Sequence, residues 1–185
     1  MEDLIKNSQQ FSSELGNLEK WIFTLDEEPS FDELSNEWKD QITFLDKETT
    51  KKLKNYKKLF RLSTNKFDQI YKDYHVFKTH ENQKKQTKKK LYNLPIKFDK
   101  KVFVFIESDY DIAFVMTWKI VIKYFTGISN FKATIWDETL NWSLESIHDI
   151  NVVSFGIHRI ENSETRSKNI IATNNWINTV LKNND

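Results

Sequence analysis

Carboxylates collect where the apolar runs of the second half of the chain end: Glu107, Asp109 and Asp111 after 102–106, Asp137 and Glu138 after 131–136, and Glu161 after 152–160. On the carboxyl edge of a parallel sheet such groups converge, and converging carboxylate oxygens can hold Mg²⁺ or act as acid and base. The catalytic candidates are therefore Glu107, Asp109, Asp111 and Asp137. Helix N-termini recruit the same residue types, because Asp and Ser side chains accept first-turn N–H groups and complement the helix dipole. Capping is the simpler reading of this set, and no metal or cofactor is expected with it.

A second constellation is basic. Lys47, Lys51, Lys54, Lys58 and Arg61 follow helical spacing and form a stripe apart from Leu53, Tyr56 and Phe60. This stripe is a candidate surface for a protein partner or for nucleic acid. From Lys84 to Lys101 there are eight lysines with Tyr92 and Phe98 among them, a combination suited to following a phosphate backbone with aromatic stacking. Arginine is scarce, only residues 61, 159 and 166, although phosphate and base recognition usually draw on bidentate guanidinium groups. His75 and His80 are five apart, which splays them on a helix, and His148-Asp149 has no identifiable nucleophile to serve. The absence of cysteine excludes disulfides, thiolate zinc sites and a cysteine nucleophile.

These groups need a scaffold, and 185 residues suffice for one domain or for two small lobes sharing a core. The net charge of +1 conceals an asymmetry: residues 1–50 carry 13 acidic and 4 basic side chains, 51–101 carry 4 and 17, and 102–185 carry 10 and 7. Adjacent segments of opposite sign imply docking within the chain before they imply an outside partner. With 3 Gly and 2 Pro there is no material for a phosphate-binding glycine loop, and long helices with few tight turns are favoured.

Phe11, Leu15, Leu18, Ile22 and Leu25 mark one helical seam over about residues 3–25. Ser30 and Glu33 have the form of a capping box opening a second helix, with Phe31, Leu34, Trp38, Ile42 and Leu45 along it. The basic stripe lies on a third, and Phe67, Ile70, Tyr71 and Tyr74 continue the helical period. The division is a helical lobe over 1–95, ending in the Lys-rich connector, and a small α/β lobe over 96–185. In the second lobe Val102–Ile106 reads as a strand covered on both faces, as in parallel sheets. A buried helix is expected over 112–127, strands at about 131–136 and 152–160, and helices at about 140–150 and 167–181. The fold class is thus mixed α/β, with a helical N-terminal lobe and a mostly parallel three-stranded βαβαβα lobe. Lys119 and Lys123, one turn apart on the apolar helix, are expected to snorkel to the surface.

Glu107-Ser-Asp-Tyr-Asp111 resembles the Glu-Gly-x-x-Asp element of Toprim nucleases and primases, with Ser108 in the glycine's place and Asp137-Glu-Thr139 where an Asp-x-Asp stands. The segment from Val102 to Asn162 is similar in order to the first half of a TIR domain: a strand trailing into Ser108-Asp109, then Phe131–Glu138, Ser143–Ile147 and a strand around Val153–Ile157. Either resemblance implies a parallel sheet and a signalling or nucleotide-processing role at the acidic edge.

The acidic start, Met1 to Lys6, lacks the basic and apolar regions of a secretory signal, so a cytoplasmic location is expected. No membrane partner is expected either, because Lys119 and Lys123 interrupt the most apolar run. The function expected from the sequence is non-enzymatic protein binding, by an immunity- or antitoxin-type inhibitor of a toxin or by a subunit of a larger complex. A degenerate TIR-like or Toprim-like domain and sequence-independent nucleic-acid binding through 47–101 are the alternatives.

Overall fold

From Val102 onward the side chains alternate between two faces of a sheet, and both faces are apolar enough to be covered. In the computed structural model, which describes residues 22–23, 38, 41–59, 71–78, 84–108, 111–138, 142–147 and 152–158, seven strands form one sheet. They are β1 (Ile42–Phe44), β2 (Tyr71–Lys78), β3 (Lys101–Glu107), β4 (Ile112–Thr117), β5 (Lys132–Trp136), β6 (Trp142–Ile147) and β7 (Val152–His158). Their order is β1-β4-β3-β5-β6-β7-β2, and every pairing is antiparallel. The helices are α1 (Lys47–Leu59), α2 (Lys84–Tyr92), α3 (Trp118–Lys123) and α4 (Phe125–Ser129).

This architecture overturns the mostly parallel βαβαβα lobe expected from the sequence. The continuous apolar run 102–106 does mark a strand covered on both faces, but the second cover is α1 rather than a crossover helix. Val102, Val104 and Ile106 join the main core, while Phe105 meets Leu53 of α1 and Trp136 in a smaller cluster, with Phe103 packed against it. The expected helix at 140–150 is strand β6. The expected helix at 112–127 begins as β4, because Ile112, Phe114 and Met116 alternate with Ala113 and Val115, and a wholly apolar run carries no period to separate helix from strand.

The helical N-terminal lobe is overturned as well. Ile42–Phe44 pairs with β4 and Tyr71–Lys78 with β7, so two segments of the first half lie at the margins of the sheet. Both contain β-branched and aromatic residues that fit a pleated surface as readily as a helix. The strand order implied by the TIR and Toprim resemblances, with parallel neighbours, is not the order found. The expected helices over 3–25 and 167–181 and the capping box at Ser30 lie outside the described residues, apart from Ile22 and Phe23.

One face of the sheet carries the main core. Phe44, Phe114 and Phe23 meet edge to face, with centroids 5.0 Å apart for Phe44 and Phe114 and 6.1 Å for Phe23 and Phe114. Trp142 sits between Trp118 and Phe155 at 5.8 and 5.9 Å. Helices α3 and α4 cover this face with Trp118, Ile120, Val121, Ile122, Phe125 and Ile128, all buried. Lys119 and Lys123 lean over the Trp38 ring at 4.7 and 4.6 Å from its centroid, a cation–π arrangement that shields the ring while leaving Lys119 exposed.

Gly127 shows how close this packing is. A Cβ there lies 2.0 Å from the Ile22 carbonyl oxygen, and the obstacle is backbone, which cannot rotate aside. Gly127→Ala is expected to destabilise the fold by about 2–3 kcal/mol, the range for overpacking a rigid contact. The midpoint of urea unfolding measures it, and an unchanged midpoint contradicts the contact.

Candidate functional site

Asp46 sets α1 in place. Its carboxylate accepts the Thr49 N–H at 2.7 Å and the Thr49 hydroxyl at 3.2 Å, the arrangement of an N-cap. From that start Thr50, Leu53 and Lys57, spaced three and four apart, turn inward and are buried. Lys57 is thereby carried over the Phe105 ring, 5.4 Å from its centroid, with its side chain 6% exposed. Its ammonium donates to Glu107, whose other oxygen accepts from Lys132 at 2.6 Å, and Lys54 pairs with Asp111 at 2.7 Å.

Burial opposes ionisation of Glu107, but hydrogen bonds from Lys132 and Lys57 and their charges outweigh it and hold the carboxyl below its ordinary range. The hydrogen bond to Glu107 raises Lys132 against the effect of burial, with help from the charges of Glu107 and Glu145. Lys54 is raised by its hydrogen bond to Asp111 and by that carboxylate's charge.

The four catalytic candidates do not converge. Glu107 ends β3, Asp111 directly precedes β4, and the two are taken up by Lys54, Lys57 and Lys132. Asp137 and Glu138 follow the far end of β5, where Lys100 pairs with both, at 3.6 Å to Asp137. Five residues of β3 separate Glu107 from the level of Asp137, about 17 Å at the rise of a strand. Lys100 is raised there, because hydrogen bonds and charge from Glu138 and Asp137 outweigh burial. Asp109 lies outside the described residues. Among the described residues no group of three or more His, Asp and Glu is placed to hold a metal ion.

The basic stripe divides. Lys54 turns to Asp111, Lys47 and Lys51 are exposed, Lys58 lies in the last turns of α1, and Arg61 falls outside the described residues. His75 and His158 lie on β2 and β7, and His80 and His148 are outside the described residues.

Beyond Phe105 a polar row crosses the sheet: Thr134, Glu145 and Ser154 stand opposite one another on β5, β6 and β7, all buried. The Thr134 hydroxyl and the Trp136 indole N–H have no hydrogen-bond partner among the described residues. Thr134→Val keeps the β-branched shape and removes a buried, unpaired hydroxyl. It is expected to stabilise the fold by about 1 kcal/mol, read as a higher melting temperature. A lower melting temperature shows that the hydroxyl is bonded.

Among the described residues, the exposed large hydrophobic side chains lie at the end of α2 and just beyond it. Tyr92 is 56% exposed and Phe98 47%, and their rings meet edge to face with centroids 5.6 Å apart. Their mount is rigid. Leu91 is fully buried, Leu94 and Ile96 pack against the main core, and the Leu94 carbonyl accepts the Ile96 N–H at 2.7 Å across Pro95. The Lys97 carbonyl accepts the Lys100 N–H at 3.1 Å and closes a turn. The carbonyls of Lys100 and Phe98 then accept the first two N–H groups of α3, from Trp118 at 2.8 Å and Lys119 at 2.9 Å. That satisfies donors a helix start leaves open and fastens the turn to the core. Around the rings Lys89 and Lys97 are exposed and form no ion pair among the described residues, and Lys88, Lys90 and Lys101 lie close in sequence.

Sequence reasoning noticed Tyr92 and Phe98 only as companions of the lysines. The readable signal was Leu91, Leu94 and Ile96, whose interleaving with exposed residues places core-packed anchors before and between the two rings. Lys57, Lys100 and Lys132 were missed as carboxylate partners. For Lys57 the position four residues after Leu53, on the inward line of α1, was the available sign. No family model matches this chain, and no curated protein matches it. Among the described residues no helix is long and apolar enough to cross a membrane.

Proposed function

We propose that this chain is a non-catalytic protein-binding module acting in the cytoplasm, as an inhibitor of the immunity or antitoxin kind or as a subunit of a larger assembly. The observation that carries the reading is the pair Tyr92 and Phe98, two large rings held in solvent on a turn bonded to the core. Leaving about half of each ring in water costs hydration free energy, and a backbone bonded to the core lowers the ordering cost of binding. Aromatic anchors of this kind supply most of the energy at interface centres. The acidic strand ends offer a rival enzyme little, since Glu107, Asp111, Asp137 and Glu138 are engaged by lysines at two separate ends of the sheet.

The second reading, sequence-independent nucleic-acid binding, draws on the same lysines. The rings make it the weaker one: an interplanar angle of 66° does not offer two parallel platforms to successive bases. Capture of the tagged full chain with its complexes at low salt, followed by washes of rising salt, tests both. A stoichiometric protein retained at high salt supports the module. Nucleic acid alone, released as salt rises, supports the second reading and overturns the first.

A further inference from the structure

We infer that the partner presents an acidic protein face with an apolar hollow that receives Phe98 and Tyr92, ringed by carboxylates that meet Lys89 and Lys97. This rests on the protein-binding reading and names its surface and partner chemistry. The charge argument is local. Lys54, Lys57, Lys100 and Lys132 have carboxylates of this chain beside them, whereas Lys89 and Lys97 are exposed with no ion pair among the described residues. Lys89 stands three residues before Tyr92 on α2, the spacing of neighbours on one helix face, Lys97 immediately precedes Phe98, and Asp99 is the one carboxylate among positions 84–101. A partner of like sign pays repulsion at the rim, and an acidic one gains encounter rate there while the rings supply the lasting contact.

The shape argument points the same way. The rings meet at 66°, so together they form a wedge rather than a flat platform, and a wedge is complementary to a hollow. The backbone under the wedge is held, because Leu91 is fully buried and the Phe98 carbonyl accepts the Lys119 N–H of α3.

The test uses the full chain carrying a photoreactive benzoyl-phenylalanine at position 98, irradiated in a lysate of its own cell. The control places the same group at position 55, exposed on α1, which packs on the opposite face of the sheet. The adduct peptides are sequenced, and the experiment is repeated with K89E and K97E together, at low and high salt. The expected result is a protein adduct from position 98 and not 55, at a segment rich in Asp and Glu, reduced about tenfold by the charge reversal at low salt. An adduct at a neutral or basic segment, equal adducts from both positions, or no response to K89E and K97E overturns the inference and leaves the protein-binding reading standing. Adducts to nucleic acid alone, or no protein adduct from either position, overturn both. Melting temperatures of the substituted chains are measured alongside, and are expected to stay within about 2 °C because both lysines are exposed and neither forms an ion pair among the described residues.

Discussion

Replacing Phe114 with alanine is expected to remove about 4 kcal/mol of folding stability, the cost of deleting a buried phenyl ring and leaving part of its volume empty. Phe114 is fully buried at the centre of β4, with Phe44 of β1 on one side and Val104 of β3 on the other. Its ring also meets Phe23 edge to face, so one side chain ties the sheet, its marginal strand and the segment at 22–23 together. Double loss follows from deleting it: the transfer free energy of the ring, and the aromatic contacts worth about 0.5–1.5 kcal/mol each beyond area. Thermal unfolding is expected to shift down by about 10 °C, and Phe114→Leu is expected to recover more than half of the loss. A shift of only one or two degrees contradicts the position of β1 against β4.

Glu107→Ala is expected to cost about 3 kcal/mol, because it strands the ammonium of Lys57 in a site that is almost closed to water. The figure sits at the low end for a broken buried pair, since Glu107 itself is 32% exposed and water reaches one side of the gap. Lys57→Met is expected to behave differently. It leaves Glu107 with Lys132 and replaces a charge over the Phe105 ring by an apolar chain of similar length, so the change is within about 1 kcal/mol of neutral. Combining Lys57→Met with Glu107→Ala is expected to recover most of the loss of Glu107→Ala alone, and full additivity contradicts the pairing.

The same group sets an acid limb. Glu107 has a folded pKa below its unfolded value, so its contribution is present above the unfolded carboxylate range and is lost as pH falls through the folded value. Lys54, Lys100 and Lys132 are raised, so their contributions are full below about pH 10, the ordinary lysine range, and disappear as pH rises beyond it. The difference in stability between the natural chain and Glu107→Ala is therefore expected to shrink below about pH 4 and to be flat through neutral pH.

How far the sequence was legible depends on which physical signal each segment carries. α1 was read within a few residues because its charges and its Leu53 line hold a clean helical period, and β3, β5 and β7 were found from their β-branched and aromatic content. Their direction was not readable. Parallel and antiparallel pairing differ in what connects the strands, and the connecting segments 112–117 and 142–147 are apolar or mixed runs that satisfy either a helix or a strand. With those two segments as strands, β4 enters between β3 and the helices α3 and α4, β6 follows β5 directly, and every neighbouring pair is antiparallel. The acidic edge disappeared with that change, because neighbouring antiparallel strands send Glu107 and Asp137 to opposite ends. Of the charge asymmetry, the described residues show ion pairs between the basic segment and 102–185, Lys54 with Asp111 and Lys57 with Glu107, while most of the strongly acidic segment 1–50 lies outside the described residues.

The central claim is that Tyr92 and Phe98 are held in solvent for a partner and are not needed by the fold. The most direct measurement takes Tyr92→Ala with Phe98→Ala in the full chain and follows two readouts together, the melting temperature and the protein retained through a high-salt wash. The account expects a melting temperature within about 3 °C of the natural chain and loss of the retained partner. A melting temperature lowered by about 8 °C or more shows the rings to be structural. Undiminished retention with an intact fold shows that the partner docks elsewhere, and either outcome contradicts the claim.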